Sequence, residues 1–241
     1  AAVAATAHGV DFIGGLELST EEDGYSVHLF GLWVEPEHAE LRAECARRRT
    51  ERDRRAWAIV ERLAELGVPV SYDAVTRRAG GAGVGGAPIG RPHIAAELVA
   101  VGAVEDMQSA FDRYLADGGP AWVPKHALAP EDGVALLRAA GGAVVLAHPG
   151  LSESRRAAQI TPQLAKSLVA AGLHGVEVAH PGHDDAMRRR WDDFAREYDL
   201  IATGASDFHG LHKETSVGCC TTDPDSVRRL QERAQRRETP W

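Results

Sequence analysis

The sequence predicts an α/β fold with a parallel sheet, and three features carry the prediction. From residue 130 onward, short apolar strands alternate with amphipathic helices. Each of those strands runs straight into a histidine or an aspartate. Between about 36 and 128 the rhythm breaks, and that segment reads as a helical insertion, leaving 1–35 and 129–241 as the α/β domain.

The elements follow in order. The opening residues 1–9 read as the last turns of a helix closed by Gly9, since glycine takes a left-handed conformation at little cost. With no Met, no cationic segment and no cap there, earlier elements are expected upstream. An apolar run over 10–18 carries the acid Glu17 near its end, and 25–34 is a second β-like run beside it. The insertion begins with a charged helix over about 36–67, where Arg47, Arg48, Arg49, Arg52, Arg54 and Arg55 cluster. Trp57, Ile59, Val60, Leu63 and Leu66 give that helix its expected buried stripe. Residues 80–90 form a glycine-rich loop that lacks the Gly-Lys-Ser/Thr ending of a phosphate-binding P-loop. Helices are expected over 92–102, with Pro92 in the favoured first turn, and over 105–117.

Three helix–strand units then repeat. Helix 130–140 leads to strand 143–147 and His148; helix 161–171 leads to strand 175–179 and His180; helix 184–198 leads to strand 200–204 and Asp207. Apolar strands between helices imply a parallel sheet covered on both faces. In α/β barrels the strand carboxyl ends are where active sites assemble.

Composition narrows the function. The chain's 44% hydrophobic and 26% charged residues fit a globular protein, and no apolar run approaches the roughly eighteen residues a membrane helix needs. A net charge of −8 opposes a broad hold on nucleic-acid backbone, so no stable DNA-binding surface is expected. A metal-filled pocket could still take a phosphorylated small molecule or a strand end, because the metal supplies the positive charge. Cys45, Cys219 and Cys220 give neither a disulfide framework nor zinc-finger spacing, which points to a reducing cytoplasm.

Asp207-x-His209 sets a carboxylate and an imidazole at alternating positions of an extended segment, so both can face one way, with Gly204 and Gly210 allowing tight turns around them. Such mixed oxygen and nitrogen donors suit Zn, Mn or Fe. Alone, the pair is a weak signal and more often describes a capping aspartate beside a surface histidine. His148 at a strand end, Glu17, and His28 within its β run are each ambiguous singly; a buried carboxylate or imidazole there needs a partner. Their common placement at strand ends is the argument. His180 and His183 could line the same pocket, whereas His8, His38, His126, His174 and His212 read as surface residues.

In this order, Gly15-Leu16-Glu17, His28, Ala147-His148-Pro149-Gly150 and Ser206-Asp207-Phe208-His209-Gly210 resemble the PHP (polymerase and histidinol phosphatase) family. Within it they resemble the stand-alone phosphoesterases that act on nucleoside 3′,5′-bisphosphates and RNA 5′ ends. The resemblance extends over essentially the whole chain, insertion included. It implies a distorted (β/α)7 TIM-like barrel, here lacking its first strands, around three divalent metals: Mn, Fe or Zn. Glu17, His28, His148, Asp207 and His209 would be the metal ligands, with Asp207 and His209 the catalytic pair. Arg52, Arg55 and His93 of the insertion would hold the substrate's phosphates and nucleotide, the insertion serving as a cap.

The family's opening His-x-His and Asp-His segments do not occur in this sequence. They are expected upstream of Ala1, and without them the chain as it stands should hold metal poorly. The implied activity of the intact protein is metal-dependent hydrolysis of a nucleotide phosphate ester, from a 3′,5′-bisphosphate or an RNA 5′ end. The alternatives are an inactive PHP fragment or binding module, and a PHP phosphatase for another ester such as histidinol phosphate. A barrel amidohydrolase is a weaker third, since its lysine or carboxylate bridge has no counterpart here.

Overall fold

The computed structural model describes residues 2–23, 25–80, 89–124, 127–151, 160–209 and 215–235. The chain divides into two compact units, Ala1–Leu41 with Ala127–Trp241, and Arg42–His126. Most of the glycine-rich loop, along with His126, Gly210 and His212, lies outside the described residues.

In the first unit, helix α1 (Ala2–Ala7) ends at Gly9, whose φ is +66°. Strands β1 (Gly15–Glu22) and β2 (Tyr25–Leu32) follow, with Glu22 opposite Tyr25. The link of Asp23 and Gly24 is too short for anything but an antiparallel hairpin, and Asp23 takes the positive φ (+49°) that such turns require. After the second unit come α6 (Pro130–Ala139), β3 (Ala143–Leu146), α7 (Pro162–Ala170), β4 (Gly175–Ala179), α8 (Asp185–Glu197), β5 (Ile201–Gly204) and α9 (Pro224–Gln235). One five-stranded sheet results, in the order β1-β2-β3-β4-β5. β3, β4 and β5 run parallel, as helical crossovers dictate, while β2 is antiparallel to β3.

The expected parallel sheet is therefore present in its second half, but the described strands do not close into a barrel. The hairpin is the physical reason for the mixed direction: it turns β1 and β2 against each other before any crossover helix intervenes.

β3 is buried along its whole length. Its residues alternate between two cores. Val144 and Leu146 pack with Leu18, Leu29, Val134, Leu168 and Trp191, while Ala143 and Val145 pack with Ile201 and Leu230 of α9. Both faces are thus covered. Gly204 is needed for close packing rather than for a turn, since a Cβ there would lie 2.6 Å from the Thr221 carbonyl oxygen and 2.8 Å from Ala179 Cβ.

The second unit is helical: α2 (Ala39–Glu65), which starts just before it, then α3 (Tyr72–Arg78), α4 (Arg91–Ala100) and α5 (Met107–Ala110), which runs into a π-helical turn at Phe111–Leu115. Ser71 and Asp106 cap α3 and α5 by accepting the Ala74 and Ser109 N–H groups. The buried stripe of α2 is Ala56, Ile59, Val60 and Leu63; Trp57 and Leu66, expected to join it, are about half exposed (50% and 46%). Trp57 falls one position outside the i, i+3, i+4, i+7 row, and Leu66 lies in the turn beyond the end of α2. Much of the arginine cluster is structural. Arg47 and Arg48 clamp Glu44, and Arg55 donates to the Val123 carbonyl.

His174, expected at the surface, instead extends the sheet. Its Nδ1 accepts the Val144 N–H at 2.9 Å, and its own N–H donates to the Val144 carbonyl. Burial, followed by the charges of Arg138 and Arg233, pushes its pKa down to about 4. The unfolded chain protonates near the ordinary value of 6.5 while the folded chain resists, so stability falls as pH drops from about 6.5 toward 4. His174→Asn keeps an acceptor without the titration. In urea denaturation it should show a shallower loss of stability across that window than the parent chain. Equal slopes would remove His174 from the account.

Candidate metal centre

Strand register builds the site. Across β1 and β2, Ser19 faces His28 and Leu18 faces Leu29. Leu18 and Leu29 are buried, so alternation places Glu17, Ser19 and His28 together on the opposite face. On the other side of β2, the Ala147 N–H donates to the His28 carbonyl and ends the β3 ladder. The next residue, His148, takes φ +25°, a left-handed conformation that is costly for a side-chain-bearing residue. That turn brings its imidazole back beside His28, with ring centroids 5.1 Å apart at nearly a right angle.

One carboxylate oxygen joins the two rings. Glu17 Oε1 lies 2.7 Å from His28 Nδ1 and 3.3 Å from His148 Nε2. The first contact is not aligned as a hydrogen bond. The polar contact and charge of His148 and then of His28 outweigh burial and hold Glu17 well below the usual carboxylate range. Burial works against protonation of His148, but the hydrogen bond and charge of Glu17 prevail and raise its pKa. The three donor atoms lie within 4.8 Å of one another.

β4 contributes the residues beneath. Glu177, 1% exposed, accepts the His148 backbone N–H at 2.6 Å, and burial raises its pKa to about 7. His180 stands 5.6 Å from His148 and 5.3 Å from His183, ring to ring. Its Nδ1 accepts the Gly182 N–H, so the neutral ring carries its proton on Nε2, which faces Asp207 Oδ2 at 3.9 Å. His183 has the opposite tautomer. Its Nδ1–H donates to the Val178 carbonyl, leaving a bare, buried Nε2 with no hydrogen-bond partner among the described residues.

Of the five residues expected as ligands, then, Glu17, His28 and His148 form one cluster. Asp207 approaches it through His180, and like His148 it has a positive φ, +47°. His209 stays beside Asp207, its Nδ1 2.8 Å from the Asp207 carbonyl oxygen, and its side chain is half exposed. In the helical unit, Arg52, Arg55 and Arg91 line a cavity of about 160 Å³ with Ile59, Ile89 and Ile94. His93 Nδ1 accepts the Gly90 N–H and caps α4. Sequence reasoning passed over Glu177, although an acid inside the apolar run Gly-Val-Glu-Val-Ala was a signal in itself. It also left His180 and His183 without a definite role; their burial, 7% and 3% exposed, separates them from surface histidines.

No protein-family model matches the chain. Among characterised proteins, it is 33% identical over 209 residues to a 3′,5′-nucleoside bisphosphate phosphatase from Chromobacterium violaceum, covering 87% of this chain and 71% of that one. It is also 31% identical over 209 residues to a 5′–3′ exoribonuclease from Haemophilus influenzae, covering 87% of this chain and 73% of that one. The chain belongs to the family of these phosphoesterases. A solved structure agrees: a protein assigned as a metal-dependent phosphoesterase from Bifidobacterium adolescentis superposes with a TM-score of 0.81 at 31% identity, over 96% of this chain and 80% of that one.

The donor set fits what a metal-dependent member of this phosphoesterase family requires. One carboxylate and two imidazoles make the mixed oxygen and nitrogen set of Mn, Fe or Zn sites. The unaligned nitrogen of His28 and the bare one of His183 are buried atoms without the hydrogen bonds that burial demands. In the metal-free chain, Glu17→Gln should lower the His148 pKa, because the charge that favours its protonated form is gone. An NMR titration of the imidazole C–H resonances reads this directly, and an unchanged or higher value would show that Glu17 does not hold His148.

Proposed function

We propose that this chain is a PHP-type phosphoesterase that hydrolyses a phosphate ester of a small nucleotide, with a nucleoside 3′,5′-bisphosphate as substrate and the monophosphate as product. The observation that carries the reading is the Glu17–His28–His148 cluster, built from two adjoining strands and the end of a third. It occurs in a chain whose relatives include a phosphatase for that class of compound. The net charge of −8 favours a small bisphosphate over a long polyanion such as RNA. The three parallel strands, each leading to a polar residue, support taking the open sheet as part of the distorted (β/α)7 barrel wall. The free cysteines support a cytoplasmic setting.

Glu17, His28 and His148 would hold divalent metal, with Asp207 and His209 completing the set for up to three ions of Mn, Fe or Zn. Bound there, the metal would supply a water acidic enough to attack at neutral pH and would offset the charge on the phosphate oxygens. Within the chain, His180 presents its Nε2–H toward Asp207. The bare Nε2 of His183 is an acceptor for a proton or a hydrogen bond. Asp207 and His209 form the catalytic pair. Arg52 and Arg55, one helical turn apart, offer planar donor forks suited to phosphate oxygens, and we assign them with His93 to substrate binding.

Phosphate release from adenosine 3′,5′-bisphosphate tests the reading. Turnover should require added Mn2+ and cease with chelator. His148→Ala should lower kcat/KM by about 100-fold or more, roughly 2.7 kcal/mol of transition-state stabilisation. Turnover that survives chelation, or a fully active His148→Ala, would contradict the metal centre.

A further inference from the structure

We infer that Glu177 is the positioning residue for His148: its carboxylate fixes the backbone turn that aims the imidazole at Glu17 and His28. The inference rests on the metal-centre reading and adds a residue that stands outside the three-donor cluster.

The geometry gives three reasons. First, the register of β3 and β4 pairs Leu146 with Val176, which sets Glu177 alongside the point where β3 ends. Second, His148 leaves the extended geometry of the strand at φ +25°, and its N–H is given to a side chain rather than to a ladder carbonyl. It donates to Glu177 Oε2 at 2.6 Å, a short hydrogen bond. Third, Glu177 is 1% exposed in an otherwise apolar strand, where valine or leucine would fold at lower cost. An acid kept at such a position has a use that packing does not supply. The use visible here is to hold a left-handed turn at a residue that is not glycine. Without the acceptor, the His148 backbone would relax toward ordinary extended geometry. Its ring would then leave the 3.3 Å contact with Glu17. Outer partners of metal ligands act in this way elsewhere, and their loss weakens metal binding by about 10- to 100-fold.

Reach and charge can be separated by two conservative substitutions. Glu177→Gln keeps an oxygen acceptor at the same distance, whereas Glu177→Asp keeps the charge but is one methylene too short to reach the His148 N–H. Calorimetric titration of the 241-residue chain with Mn2+ alone should give Glu177→Gln an affinity within about threefold of the parent. Glu177→Asp should bind about tenfold more weakly or worse. In metal-free protein, the His148 amide proton should exchange slowly and resonate downfield in the parent and in Glu177→Gln, and lose both properties in Glu177→Asp. The amide readout involves no metal, so it decides the positioning claim even if one variant binds weakly through loss of stability. Parent-like behaviour of Glu177→Asp in both measurements would overturn the inference, as would equal weakening by the two substitutions. A parent chain that binds no Mn2+ while its amide behaves as described would instead sink the metal-centre reading on which the affinity claim depends.

Discussion

The structure turns on β3. This buried strand is antiparallel to β2 along one edge and parallel to β4 along the other, so side chains from three strands converge where it stops. Its alternating residues are locked into two separate cores, Val144 and Leu146 on one face and Ala143 and Val145 on the other. Because side chains alternate with a period of two, a slip of one residue would exchange these sets and break both cores. The same lock fixes the site. His148 emerges at one defined point, beside His28 from β2 and above Glu177 from β4. Nothing in the cluster has to find its own place.

The site carries its own local costs. Two non-glycine residues, His148 and Asp207, sit at positive φ, and a carboxylate lies almost wholly buried. Each is unfavourable in isolation. They are tolerated because the surrounding packing over-determines the backbone, from Trp191 of α8 on one side of the sheet to Leu230 of α9 on the other. Glu17 illustrates how charge is distributed: a single oxygen serves two imidazoles, its negative charge favours the protonated form of His148, and the two imidazoles favour its ionised state.

Much of this was legible in the sequence, for identifiable reasons. The apolar strands ending in His148, His180 and Asp207 announce themselves because burial on both faces leaves little room for polar residues until the strand ends, Glu177 excepted. Glu17 and His28 stand out for the same reason, as polar residues among β formers. What sequence could not give was direction and assembly. The antiparallel hairpin depends on a two-residue link whose consequence is geometric. The role of Glu177 was hidden because its partner is a backbone N–H, a group every residue but proline possesses and no sequence pattern marks. His174 was missed likewise, being a side chain that replaces a ladder acceptor. Trp57 misled because hydrophobicity alone does not say which side of a helix faces inward.

The central claim is that Glu17, His28 and His148 together make a metal centre. Anomalous diffraction from crystals of the chain grown with Mn2+, collected on both sides of the manganese edge, tests it most directly. A peak within about 2.0–2.3 Å of Glu17 Oε1 and of imidazole nitrogens of His28 and His148 is the expected result. Manganese found only elsewhere, with the three side chains still held as Glu17 with its two imidazoles, would contradict the account.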